Sequence, residues 1–164
     1  MSTSALPDPP TLAAIVSNVT ETMCGISFEP APPEAATRAL CWKIAWLPIK
    51  GERPIRVALS SDHAGCTALG SALFSCPPET LDGSMLDDSL CELLNMAAGQ
   101  IKGTLLLDQT LGLPKILTGD ELSEQTESVL RHGTVLQSRG TVHILIWISE
   151  GDQPLSSSSK GAMS

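Results

Sequence analysis

The chain has 164 residues, 42% of them hydrophobic and 17% charged, and a formal net charge of −8. That length makes one domain, and that apolar content excludes wholesale disorder. The acidic balance excludes the basic footprint that nucleic acid or an anionic membrane surface requires.

Five cysteines, Cys24, Cys41, Cys66, Cys76 and Cys91, are scattered with no C-x-x-C pair. Their odd number and spacing predict reduced thiols in a cytoplasmic protein. The opening MSTSALPDPP has neither the basic nor the apolar region of a signal peptide. Apolar runs such as VHILIWI are far too short to span a bilayer. A soluble protein with no membrane and no nucleic-acid partner is therefore expected.

Residues 1–10, rich in proline and serine, read as a flexible N-terminus, 11–150 as the folded domain, and 151–164, ending SSSSKGAMS, as a disordered tail. In TLAAIVSNVTETM, Leu12, Ile15, Val16, Val19 and Met23 recur at helical spacing and predict a first helix. ISFEP reads as a short strand. ALCWKIAWLPI alternates, with Trp42, Ile44 and Trp46 on one side and Cys41, Lys43 and Ala45 on the other, so it predicts a strand. GERP turns the chain into a second strand, PIRVALS. AGCTALGSALF reads as a short apolar helix, and CPPETLDG as a loop. The best-marked helix follows, over 85–102. LGLPKILTG reads as a strand whose Pro114 confines it to an edge or a strand start. DELSEQTESVLRHG reads as a polar surface helix or an ordered loop, ended by Gly133. GTVHILIWISE is a strand apolar on both faces, with Val142, Ile144, Ile146 and Ile148 on one and Leu145 and Trp147 on the other. Such a strand needs cover on both sides. The order predicts an α+β fold, an antiparallel sheet with long helices packed on it.

The helix over 85–102 carries the candidate site. Ser84 is its expected N-cap, Asp87 and Asp88 suit its positive end, and Gly103 fits a closing left-handed position. At 100° per residue, Leu86, Leu90, Leu93, Leu94, Ala97 and Ile101 fall on one stripe. Burying the five large ones contributes a gross ~8–15 kcal/mol, so the stripe must face inward. Asp88, Glu92, Asn95, Gly99 and Lys102 then share the outer face. Glu92 and Asn95, three residues apart, are neighbours on that surface. Gly99, one turn further on, costs roughly 0.5–1 kcal/mol against alanine and leaves a flat spot.

The string SLCELLNMAAGQIKGTLLLDQTLGLPKILTG resembles the CheX branch of the CheC/CheX/FliY family of chemotaxis phosphatases. That family shows an E-L-x-N-M/I-x-A-G helix followed by P-x-x-x-x-G, matched here by Glu92 to Gly99 and by Pro114 to Gly119. A single Glu-x-x-Asn fits the CheX rather than the two-helix CheC pattern. The resemblance implies a phosphatase that hydrolyses the aspartyl phosphate of a CheY-like response regulator. It implies that Asn95 positions the attacking water and that Glu92 pairs with the regulator's phosphate-site lysine. Asp88, Met96, Gly99 and Lys102 would complete the partner-binding surface. No cofactor or metal of its own is implied, because the regulator supplies the Mg2+. A homodimer joined through the sheets is also implied.

Two other classes fit the same sequence. A non-catalytic adaptor would dock the same face on a receiver domain or switch protein and hydrolyse nothing, and a scaffold domain would use its sheet to oligomerise. Ser60-Ser61-Asp62-His63 reads as a turn rather than a triad, since triad partners converge in space and not in sequence. His63, His132 and His143 have no metal-binding spacing.

Overall fold

Alternating apolar side chains build three long strands, β2 (Lys43–Lys50), β3 (Ile55–Ser61) and β7 (His143–Glu150), and these form the centre of one antiparallel sheet. The computed structural model describes residues 5–138 and 142–151. Short strands β1 (Glu29–Pro30), β4 (Thr110–Leu111), β5 (Lys115–Ile116) and β6 (Thr134–Gln137) extend the sheet. The order among the described residues is β1-β6-β7-β3-β2-β4, with β5 also pairing with β2. Among the described residues four α-helices accompany it: α1 (Pro9–Cys24), α2 (His63–Phe74), α3 (Gly83–Thr104) and α4 (Gly119–His132). The fold is α+β, as the element order predicts.

The two faces of the sheet carry separate cores. On one, α1, α2 and α3 press Leu12, Val16, Leu69, Leu90, Leu93 and Leu94 against Ala45, Leu47, Val57, Ile144 and Ile146. On the other, α4 and a 3-10 turn at Arg38–Cys41 cover Ile44, Ala58, Leu145 and Trp147. The alternation of β7 is thus used within the chain, one parity in each core, because β7 lies between β3 and β6 and is covered on both faces.

Several local expectations are corrected. Cys41 and Trp42 do not follow the strand alternation, because the 3-10 turn precedes β2. Cys41 joins the core of Ile44, and Trp42 stays 43% exposed, edge-on to His63 at 4.7 Å between ring centroids. The strand expected over 111–119 breaks into β4 and β5 around Gly112-Leu113-Pro114. There the Gly112 N–H donates to the Pro48 carbonyl at 2.6 Å, and Pro114 has no N–H to donate. β6 was not anticipated; its four residues are too few for alternation to stand out. Ser60 and Ser61 end β3, and Asp62 caps α2 by accepting from the Gly65 N–H at 2.7 Å, so no triad forms. All five cysteines are free. The first helix begins at Pro9, inside the segment expected to be flexible. Residues 1–4 and 152–164, and with them nearly all of the expected tail, lie outside the described residues.

Candidate functional site

α3 begins two residues earlier than its sequence predicts. Asp82, not Ser84, is the N-cap, its carboxylate accepting from the Met85 N–H at 2.8 Å. Nor does Gly103 close the helix. It stays within α3, and the left-handed residue is Leu106, with φ 57°. The Leu106 and Leu107 N–H groups donate back to the carbonyls of Gly103 and Lys102, each at 3.0 Å. These end corrections leave the rotational setting of the helix untouched. Leu86, Leu90, Leu93, Leu94, Ala97 and Ile101 are all buried, joined by Ser89 and Ala98. Asp88 and Glu92 are exposed, while Asn95, Gly99 and Lys102 are half-buried on the opposite side.

Asp88, Glu92 and Asn95 line one open depression of about 370 Å³, whose remaining wall is Cys91, Leu113 and Pro114. Neither the Glu92 carboxylate nor the Asn95 amide has a hydrogen-bond or ion-pair partner among the described residues. Asp87, by contrast, is paired with Lys43 of β2, whose ammonium also sits 4.9 Å over the Trp42 ring. Among the described residues the helix therefore presents two unpaired carboxylates, Asp88 and Glu92, and one unpaired amide to solvent, on a cylinder fixed by its buried stripe. Gly99 extends this surface away from the depression. A Cβ placed there would meet only Leu111 Cδ1, at 4.0 Å, so no close packing within the chain requires a glycine. Met96 flanks the face and packs in part against the inner core. Lys102 lies in the last turn, where a cation suits the helix dipole.

The Cys91 thiol adjoins Glu92, but burial pushes it up to about 11, with Asp87 and Asp88 adding to the rise. It is thus a neutral thiol near pH 7 and a poor nucleophile. Among the described residues no group of three or more His, Cys, Asp or Glu side chains gathers as metal ligands. Leu113 and Pro114, the far wall of the depression, fall within the stretch whose sequence predicts a strand. The pairing of Gly112 with Pro114, two residues that disfavour strand interiors, is the signal that this stretch turns away from the sheet.

This fold belongs to a recognisable class. The family model for "Chemotaxis phosphatase CheX" matches residues 44–134, more than half of the chain, and the chain belongs to that family. No curated protein matches the chain. Solved structures share its fold at low identity. The chemotaxis protein CheX from Vibrio vulnificus aligns with a TM-score of 0.65 at 16% identity, covering 91% of this chain and 99% of that one. CheX in the CheX-CheY-BeF3-Mg2+ complex from Borrelia burgdorferi gives 0.64 at 14% identity, covering 86% and 96%. A CheX from Desulfovibrio desulfuricans gives 0.59 at 14%, covering 85% and 96%. No helix among the described residues is long and apolar enough to cross a membrane.

Proposed function

We propose that this chain hydrolyses the aspartyl phosphate of a CheY-like receiver domain by completing that domain's active site with the outer face of α3. The observation that carries the reading is the unpartnered Glu92 and Asn95 pair in one open depression on a helix that cannot rotate. Membership of a chemotaxis phosphatase family supports the reaction class, and the relative solved with CheY, BeF3 and Mg2+ supports the partner.

In this reading the Asn95 carboxamide enters the phosphoryl pocket, accepts a hydrogen bond from a water and holds its oxygen in line with the phosphorus. The water oxygen forms the new P–O bond as the bond to the aspartyl oxygen breaks. Inorganic phosphate leaves and the receiver's carboxylate is regenerated. Such a reaction needs positioning and charge stabilisation more than covalent help, and a neutral amide enters an anionic pocket without repulsion. Glu92, exposed and unpaired, takes the receiver's phosphate-site lysine and sets the docking register. The receiver supplies the Mg2+, and this chain contributes no metal or cofactor. A homodimer, implied by the resemblance, and a cytoplasmic location, expected from the scattered cysteines, belong to the same proposal.

A phosphate-release assay with a phosphorylated receiver domain and Mg2+ tests the reading. Wild-type protein should accelerate release over spontaneous decay, and Glu92→Lys should raise the receiver concentration needed. Binding without acceleration would instead support the adaptor reading.

A further inference from the structure

The geometry points to Leu113 as an apolar anchor that grips the receiver domain beside its phosphorylated pocket. This inference rests on the reading of α3 as the face that docks on a receiver. Leu113 is 87% exposed and lines the same depression as Glu92 and Asn95. A leucine that exposed gains nothing from the core of its own chain.

Nor is it a loose tip. The segment carrying it is tied down on both sides. Before it, the Gln109 side chain bonds the backbone of Arg53 twice, its Oε1 accepting from the N–H at 2.9 Å and its Nε2 donating to the carbonyl at 2.8 Å. Gly112 is pressed onto β2, where a Cβ would come within 2.6 Å of Pro48 Cγ. After it, Pro114 restricts the backbone, and β5 pairs with β2 at Ala45 and Trp46. Leu113 is therefore held outward between two anchors, at a fixed distance from a helix that is itself fixed.

The neighbouring charges say what kind of surface fits. Asp88 and Glu92 are unpaired carboxylates on one side of the depression, and Leu113 is an apolar wall on the other. The complementary surface carries a cation for Glu92 and, beside it, an apolar side chain on a loop that borders the phosphoaspartate pocket. The partner is a receiver domain with that arrangement, and receivers with a charged residue at the apolar position are disfavoured.

Steady-state phosphate release with a phosphorylated receiver tests this. Leu113→Ser should raise KM by roughly tenfold to a hundredfold and leave kcat within about twofold, and Leu113→Met should restore KM. Leu106→Ser is the control, because Leu106 is equally exposed, at 87%, but does not line the depression; its KM should match wild type. An unchanged KM in Leu113→Ser overturns the proposal, as does an equal loss in Leu106→Ser. If wild-type protein releases no phosphate, the phosphatase reading fails separately. The anchor is then read by calorimetry against a receiver loaded with Mg2+ and beryllium fluoride. Binding at least tenfold weaker for Leu113→Ser supports it, and equal binding, or none by wild type, overturns it.

Discussion

Gly70 and Gly99 both sit inside helices, where glycine costs stability, yet their surroundings differ. At Gly70, in α2, a Cβ would lie 3.3 Å from both Leu86 Cδ2 and Ser89 Oγ of α3, two buried side chains in a helix seam. At Gly99 the nearest such atom is 4.0 Å away. Thermal denaturation should therefore separate them. Gly99→Ala should raise stability by about 0.5–1 kcal/mol, the helix-propensity gain, whereas at Gly70→Ala the crowding against Leu86 and Ser89 should cancel part or all of that gain. A destabilised Gly99→Ala would show that the fold itself requires this glycine and would remove it from the docking face. The sequence placed Gly99 on the outer face with Glu92 and Asn95, because register follows from the leucine stripe. It left open whether a neighbour within the chain needed the bare backbone, since that depends on what the loop at 105–114 does. Leu113 was hidden for the same reason: a leucine between Gly112 and Pro114 is read as strand until the loop is seen turned outward.

Among the elements, periodicity was most legible where buried area was largest. The stripe of α3 and the double-sided alternation of β7 follow from many side chains that must reach the core, so small errors at either end change nothing. Helix ends were less legible because one capping hydrogen bond is a small effect that a neighbouring residue can supply. DGSM offers both Asp82 and Ser84 as caps, and the structure uses Asp82, with its carboxylate on the Met85 N–H. Asp82→Ala should then cost about 1 kcal/mol in a chemical-denaturation measurement, while Ser84→Ala should change stability by less than about 0.5 kcal/mol. Equal losses would mean that the cap is shared. The short strand β6 leaves no signal in the sequence, and the stretch around β4 and β5 reads as one strand rather than two, because two to four residues bury too little to set a pattern, and their pairing with β1, β2 and β7 is decided by the rest of the sheet.

At the scale of the whole molecule, the sheet is covered on both faces by helices of the same chain, so the apolar parities of β7 serve folding rather than assembly. The proposed homodimer does not need these faces, and sedimentation equilibrium should report twice the chain mass; a single chain mass across micromolar concentrations would remove the dimer and leave the site intact. What the assembled fold achieves for α3 is a division of labour. The inner stripe and the Lys43–Asp87 pair hold the helix, and the opposite face keeps Asp88, Glu92 and Asn95 without partners among the described residues. The decisive measurement separates docking from chemistry in Asn95→Ala. This variant should bind a receiver loaded with Mg2+ and beryllium fluoride within about threefold of wild type, yet lose phosphate release by on the order of a hundredfold, as expected when a group that positions a reacting water is removed. Phosphate release by Asn95→Ala at the wild-type rate would contradict the account.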